Sequence, residues 1–306
     1  MTKVIEVDRS FKVWWHLTRP HTLTASFVPV FLGTTIALTV EGQTINFPLF
    51  FAMLIASMLI QAATNMFNEY YDYKLGLDNE QSVGIGGTIV RHGVAPSTIM
   101  AIALSFYGVA LFLGIYICAM SSWWIAVVGL ICMLIGYLYT GGPYPIAYSP
   151  FGELVSGTVM GLGIILIAFF IQTKTITLEA VLLAVPSMIL VGAIMLSNNI
   201  RDIVGDKEGG RKTLAILVGR HNAIYILSLF FIISYLWIAG LVIIEDLTYW
   251  ALLVILSVPK TIKAIDIFRH KKEPLEVMPA MKFTAQTNTQ FGFLLAVGLL
   301  ISYLFF

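Results

Sequence analysis

Long apolar runs separated by short polar stretches extend along the whole chain. A run of about twenty apolar residues is long enough to cross a bilayer as a helix. The pattern predicts nine such spans, of which the eighth is interrupted by Pro259 and Lys260 and the ninth opens on polar residues. The expected ranges are 21–40, 48–72, 97–119, 122–140, 152–172, 178–199, 222–244, 247–265 and 285–305.

Composition supports this pattern. Hydrophobic residues make up 58% of the chain, charged residues only 11%, and the mean hydropathy is +0.87, whereas a soluble domain carries about 25% charged residues. We therefore predict an all-α membrane protein, with about nine transmembrane helices around a central apolar cavity that is open to the cytoplasmic side. Residues 1–306 would form a single polytopic domain, and nucleic acid is not an expected partner.

The loop charges predict the orientation. With the N-terminus in the cytoplasm, 17 of the 18 Lys and Arg residues fall on the inner side, and only Lys174 lies outside. This asymmetry follows the positive-inside rule. It predicts a multi-pass protein of the cell (inner or plasma) membrane. The N-terminal arm 1–19 and two long loops, 73–96 and 200–221, would be cytoplasmic, and the loops would carry the active site.

Two polar clusters stand at the ends of expected spans. Asn68 and Asp72 in "NEYYD" are four residues apart, and Asn198, Asp202 and Asp206 in "NNIRDIVGD" repeat that spacing. Residues four apart share one face of a helix, with their side chains about 5–6 Å apart. Two carboxylates at that distance repel by about 3 kcal/mol for an effective dielectric constant near 20. Such a pair therefore needs a cation between its members.

The ligand types indicate which cation this is. Carboxylate and amide oxygens favour Mg²⁺ or Ca²⁺ over zinc or copper, and Mg²⁺ often completes its coordination with substrate phosphates. Helical geometry points Arg201 and Lys207 to other faces, so they are not expected to neutralise the acids. The cations available for a phosphate are Lys74, Arg91, Arg201, Lys207, Arg211 and Lys212. We predict a diphosphate held by Mg²⁺ between two acidic helix ends; for either cluster alone, an ordinary interfacial position is the alternative.

Four stretches carry a resemblance to a known family. "NMFNEYYDYKLGLD" and "SNNIRDIVGDKEGGRKTLAILVGR" resemble the two Asp-rich motifs of the UbiA superfamily of intramembrane prenyltransferases. Together with "WHLTRPHTL" and "YTGGPYPIAY", the second motif resembles the branch that prenylates 1,4-dihydroxy-2-naphthoate in menaquinone synthesis. The resemblance runs from Trp15 to Arg220, and the C-terminal third matches only as apolar helices.

The resemblance implies roles for particular residues. Asn68 and Asp72 would hold one Mg²⁺, and Asp202 and Asp206 a second, with Asn198 nearby. Lys74 matches a diphosphate contact and Tyr139 a position near the substrate, with Asn198 beside them. Arg91, Arg201 and Lys212 are further candidates for contact with the diphosphate. Asp72, Asp78 and Asp202 are the acids implied in catalysis, and either Asp72 or Asp78 is a candidate for deprotonating the acceptor.

The implied reaction is Mg²⁺-dependent transfer of a polyprenyl group from polyprenyl diphosphate to 1,4-dihydroxy-2-naphthoate. Pyrophosphate and CO₂ would be lost and demethylmenaquinol formed, with membrane lipid around the protein. One alternative is a superfamily enzyme with another aromatic acceptor, such as 4-hydroxybenzoate, a chlorin or haem. A cation or metabolite transporter with the acids as its coordination site is the other alternative.

Overall fold

The computed structural model describes residues 11–20, 22–77, 87–245 and 247–305, and no strand occurs in these ranges. The helices are α1 (Phe11–Leu17), α2 (Thr24–Thr39), α3 (Phe47–Lys74), α4 (Thr88–His92), α5 (Pro96–Met120), α6 (Trp124–Leu138), α7 (Gly152–Ser156), α8 (Ile164–Thr173), α9 (Leu178–Arg201), α10 (Ile203–Glu208), α11 (Leu214–Val218), α12 (Arg220–Ile244), α13 (Val258–His270) and α14 (Pro274–Phe305). A π-helical segment, Gly157–Gly163, joins α7 to α8, and 3₁₀ segments lie at Ile146–Tyr148 and Tyr249–Ser257.

The prediction of an all-helical polytopic membrane protein is confirmed, but the count of nine membrane-length helices is not. Among the described residues, six helical stretches are long and apolar enough to cross a bilayer: α3, α5, α7 with α8, α9, α12 and α14. The first and fourth expected spans are the shorter apolar helices α2 and α6. The eighth is split between the 3₁₀ segment Tyr249–Ser257 and α13, and the break falls just before Pro259 and Lys260.

Local sequence accounts for the helix ends. At the start of α3, Asn46 accepts a hydrogen bond from the Leu49 N–H (3.1 Å), and Pro48 occupies the first turn, where its missing N–H costs nothing. Thr177 caps α9 in the same way through the Ala180 N–H (3.3 Å). Between these ends the helical form satisfies nearly all backbone groups internally, as a bilayer requires. In α9, where Pro186 has no N–H, the Leu182 carbonyl accepts from the Trp237 indole N–H instead (2.9 Å).

Helix α9 forms the centre of the fold, and α5 lies at its edge. In the most apolar stretch of α9, 61% of the residues are buried, against 17% in α5. Glycine permits the close packing around α9: a Cβ added at Gly161 would lie 2.5 Å from the Met188 Cα. The helix that leads to the second polar cluster is therefore held rigidly between its neighbours.

A cavity of about 1270 Å³ lies between the helices. Its lining includes Met53 and Asn68, which are fifteen residues apart on α3, so it extends about 22 Å along that helix. Asn68, Asn198 and Arg201 line one end, whereas the rest of the lining is mostly apolar, with residues such as Ile117 and Leu130. The expected apolar cavity is thus present, with a polar end beside the two motifs.

Candidate functional site

The two polar clusters meet through one arginine. Arg211 donates from Nη2 to the Asp72 Oδ1 (2.6 Å) and from Nη1 to the Asp206 Oδ1 (2.9 Å). Asp72 lies in the last turn of α3 and Asp206 in α10, which follows α9 directly. The C-terminal ends of two long helices therefore converge on a single guanidinium.

A tight turn brings Arg211 back onto the second cluster. Helix α10 ends at Glu208, and Gly210 follows in the left-handed region (φ +77°). The Gly210 N–H bonds to the Lys207 carbonyl (3.1 Å), and the Arg211 N–H bonds to the Asp206 carbonyl (2.9 Å). This is a Schellman ending, which favours glycine at the left-handed position. The pair Gly209–Gly210 is thus a sequence signal that Arg211 folds back beside Asp206.

Burial and neighbouring charges together set the pKa values of Asp206 and Arg211. Burial raises the pKa of Asp206 to about 6; Arg211 lowers that pKa, and the charges on Asp202 and Asp72 raise it. The pKa of Arg211 itself is raised overall, because the carboxylates of Asp72 and Asp206 outweigh the opposing effect of burial. Among the described residues, the buried Nε of Arg211 has no hydrogen-bond acceptor. The site therefore contains an unused donor beside its acids.

Asp202 was expected to lack a cationic partner in the chain, but it has one. Arg201 Nε and Nη2 contact its two carboxylate oxygens at 2.6 and 2.5 Å, so the expectation that Arg201 points to another face is wrong. The reason is local: Asp202 lies between α9 and α10 with φ −92° and ψ 7°, outside regular helical geometry. Neighbouring side chains converge at that break. Asn198, one turn earlier, lines the polar end of the cavity.

In the first cluster, Asn68 has an occupied amide oxygen, as Asp72 has an occupied carboxylate oxygen. The Asn68 Oδ1 accepts a hydrogen bond from the Thr140 hydroxyl (2.7 Å), and Asn68 also lines the cavity. In the described ranges, no three His, Cys, Asp or Glu side chains gather closely enough to hold a metal on their own. A metal ion bound here would therefore need amide oxygens and oxygens of a bound substrate in addition to the carboxylates.

The other candidates are dispersed around this site. Tyr139 follows α6 and lines the cavity, whereas Lys74 lies over the Tyr70 ring at 5.9 Å from its centroid. Arg91 lies in the last turn of α4, outside the cavity lining. Lys212 is exposed, and its backbone N–H donates to the Tyr148 carbonyl (3.0 Å). Asp78 lies outside the described residues.

A second carboxylate in the first motif has a structural role that the spacing argument missed. Glu69 is almost fully buried; it accepts from Arg19 (3.4 Å) and from the backbone N–H of Ile89 (3.3 Å). It thereby ties the segment after α1 and the start of α4 to α3. No separate signal in the sequence pointed to this role, because Glu69 stands directly after Asn68 inside the polar cluster; its burial shows that it needs partners.

The geometry defines a polytopic helical membrane protein with a long apolar cavity and an acid–arginine cluster at one end. The model of the UbiA prenyltransferase family matches residues 26–285. The chain is 58% identical over 292 residues to the 1,4-dihydroxy-2-naphthoate octaprenyltransferase of Bacillus subtilis, covering 95% of this chain and 93% of the relative. It is 25% identical over 277 residues to the protein of the same name from Mycobacterium tuberculosis, covering 90% and 92%.

Solved structures agree on the fold. A UbiA homologue from Aeropyrum pernix superposes with a TM-score of 0.69 at 14% identity, covering 93% of this chain and 98% of that one. A homologue from Archaeoglobus fulgidus, bound to DMAPP and Mg²⁺, superposes with a TM-score of 0.63 at 15% identity, covering 93% and 99%. The chain belongs to the UbiA prenyltransferase family.

Proposed function

We propose that this protein transfers a polyprenyl group from polyprenyl diphosphate to 1,4-dihydroxy-2-naphthoate and releases pyrophosphate and CO₂. The observation that carries the proposal is the convergence of Asp72, Asp206 and Arg211 beside an apolar cavity about 22 Å long. The high identity to the Bacillus subtilis enzyme supports the choice of acceptor, because that enzyme is a 1,4-dihydroxy-2-naphthoate octaprenyltransferase.

The donor set fits Mg²⁺, which binds through one or two carboxylates and substrate phosphates. The buried Asp206 and the half-buried Asp72 already share one cation, and the adjacent buried Arg211 Nε lacks an acceptor that a phosphate oxygen would supply. We propose two ions, one held by Asn68 and Asp72 and one by Asp202 and Asp206. Bound Mg²⁺ would neutralise negative charge developing on the leaving diphosphate.

The chain's own residues would perform the remaining steps. The allylic C–O bond breaks and its electron pair leaves on the diphosphate, whose charge Arg211 and Arg201 would stabilise with preorganised donors. Lys74, Arg91 and Lys212 are further diphosphate contacts in this proposal. The apolar walls, including Ile117 and Leu130, would hold the isoprenoid tail and keep water from the allylic cation.

The acceptor would then attack the allylic cation. We propose that the ring carbon that bears the carboxylate attacks the cation. CO₂ is then lost, and the electron pair of the broken C–C bond restores the aromatic ring. Tyr139 and Asn198 line the cavity where the ring would lie. Asp72 or Asp78 would accept the naphthol proton before the attack and return it to the ring oxygen once CO₂ has left.

The proposed setting is the cell membrane. Residues 1–306 would form one domain there, with the arm 1–19 and the loops 73–96 and 200–221 in the cytoplasm. The distribution of positive charge supports this orientation, because the expected topology places 17 of the 18 Lys and Arg residues on the cytoplasmic side of the spans. Cysteine labelling at Lys174 and Lys207 positions from outside intact cells would test it, with only the Lys174 site expected to react.

An assay that follows the carboxyl carbon of the acceptor tests the reaction. Purified protein in lipid nanodiscs receives polyprenyl diphosphate and dihydroxynaphthoate labelled in the carboxyl carbon, with Mg²⁺ or with EDTA. We expect prenylated product and labelled CO₂ in equal amounts, only with Mg²⁺. Parallel reactions with 4-hydroxybenzoate examine the alternative acceptor. Transfer to 4-hydroxybenzoate alone, or a naphthoate product that keeps its label, would contradict the proposal.

A further inference from the structure

Lys260 is a cation placed on the wall of the cavity. It is the third residue of α13, directly after the 3₁₀ segment Tyr249–Ser257, and it is half-buried and lines the cavity. An ionisable residue in a membrane-spanning region is expensive, and such residues usually face a cavity and serve a function. Helix formation alone therefore does not explain why a lysine stands at position 260, within the eighth apolar run.

The partners of Lys260 leave its charge uncompensated. Its ammonium donates to the Gln286 Oε1 (2.9 Å) and lies 5.4 Å from the centroid of the Phe283 ring. Neither partner carries a negative charge, and in the part of the chain that the structure describes no carboxylate lies within 4.0 Å of this ammonium.

The arginines of the cavity differ from Lys260 in this respect. Arg19 is paired with Glu69 at 3.4 Å, and Arg201 is paired with Asp202 at 2.5 Å. Lys282 also lines the cavity, but its side chain is more exposed than that of Lys260. A half-buried, unpaired ammonium on an otherwise mostly apolar wall is a site for an anion that enters the cavity.

Helix α14 relates this ammonium to the Arg201–Asp202 pair. Its residues Met278, Lys282, Gln286 and Gln290 recur every four positions and all line the cavity, so they form one face. The Met278 sulfur contacts the Arg201 Nη1 at 3.5 Å. Gln286, which holds Lys260, lies eight residues further along, about 12 Å away at 1.5 Å per residue.

That spacing suits a ring between the two cations. Reacting atoms lie about 3–3.5 Å apart in a productive complex. An allylic carbon next to a diphosphate at Arg201 would therefore leave room for an aromatic ring before Lys260. A carboxylate on the reacting ring carbon would lie on the side away from the diphosphate, toward Lys260.

We propose that Lys260, oriented by Gln286, binds the carboxylate of the aromatic acceptor and so selects carboxylate-bearing acceptors. The identity of that acceptor rests on the function proposed above, whereas the anion site rests on the charges of the cavity wall. The reaction would also weaken its own product complex, because the carboxylate leaves as CO₂ and its contact with Lys260 is lost.

Equilibrium binding to the purified protein in nanodiscs tests the proposal without turnover. The ligands are 1,4-dihydroxy-2-naphthoate and the carboxylate-free 1,4-dihydroxynaphthalene. We expect Lys260→Met to weaken binding of the naphthoate by about tenfold or more, the range for a hydrogen bond to a charged group. Binding of the diol should not change, and Lys260→Arg should retain most of the affinity for the naphthoate.

Two further variants separate binding from folding. Gln286→Glu places a carboxylate against Lys260 without removing the lysine, so it should also weaken naphthoate binding and spare the diol. Lys263→Met is the matched control: Lys263 lies over the same Phe283 ring at 5.8 Å but is exposed and outside the cavity lining. This control should bind both ligands like the wild type.

The outcomes distinguish this inference from the proposed function. Equal naphthoate affinity in Lys260→Met and Lys263→Met, or equal losses for naphthoate and diol, would overturn the anion site. A wild type that prefers the diol would overturn it at the outset. A raised KM for polyprenyl diphosphate alone would assign Lys260 to the diphosphate instead. Failure of the wild type to prenylate dihydroxynaphthoate would contradict the proposed function while leaving the binding result intact.

Discussion

Replacing Arg211 by alanine removes the guanidinium that Asp72 and Asp206 share. The two bonds are short, at 2.6 and 2.9 Å, and the side chains of Arg211 and Asp206 are only 15% and 8% exposed. Removing one partner of a buried ion pair costs about 3–5 kcal/mol, since the remaining charge is left uncompensated. At roughly 2 °C per kcal/mol for a chain of this size, the unfolding temperature should fall by roughly 6–10 °C.

Divalent cations should reverse part of this loss. In the variant the two carboxylates face each other without a counter-charge, so Mg²⁺ would bind and neutralise them. Thermal unfolding of the protein in detergent, followed with EDTA and with Mg²⁺, measures the effect. We expect Mg²⁺ to raise the unfolding temperature of Arg211→Ala by several degrees more than that of the wild type.

The neighbouring lysine supplies the control. Lys212→Ala makes the same change in net charge, but its side chain is exposed and makes no ion pair among the described residues. It should unfold within about 1 °C of the wild type, as surface substitutions usually do. An Arg211→Ala protein as stable as Lys212→Ala in EDTA, or an equal Mg²⁺ effect on both, would refute the reasoning.

The remaining predictions concern catalysis and packing. Asp72→Ala and Asp202→Ala should each abolish Mg²⁺-dependent prenyl transfer while the protein still inserts into membranes; near-normal turnover in either would contradict the metal assignment. Glu69→Ala should lower thermal stability by about 2–3 kcal/mol, because Arg19 and the Ile89 N–H lose a buried acceptor; an unchanged unfolding temperature would argue against that role. Gly161→Ala should destabilise by about 1–3 kcal/mol, since its Cβ would meet Met188, whereas Gly240→Ala, with open space around it, should stabilise slightly; equal melting curves would contradict this.

Most helix positions followed from hydropathy. The expected spans 97–119 and 222–244 correspond to Pro96–Met120 and Arg220–Ile244, because a twenty-residue apolar run has few options in a bilayer. The ninth was placed too late: α14 begins at Pro274, eleven residues before the expected start. The polar residues before Phe291 are accommodated because part of α14 faces the cavity, where Lys282 and Gln286 lie.

The site was less accessible to sequence reasoning. The spacing of Asn68 and Asp72 indicated a shared helix face, and both residues do lie in α3. The spacing of Asn198, Asp202 and Asp206 did not show that a helix break falls at Asp202, so the pairing of Arg201 with Asp202 was missed. A hydropathy profile records only that Asp202 is polar. It shows neither that the helix breaks there nor in which direction the side chains point.

The sequence by itself determined the class of this protein, the order of its apolar helices and the two motifs that carry its acids. These properties are local, because each helix satisfies its own backbone hydrogen bonds and its own apolar run sets its length. Only the tertiary structure decided that Arg211 joins Asp72 to Asp206, and that Lys260 meets Gln286 on the cavity wall. Asp72 and Arg211 are 139 residues apart, and their contact depends on how whole helices pack, which no short segment encodes.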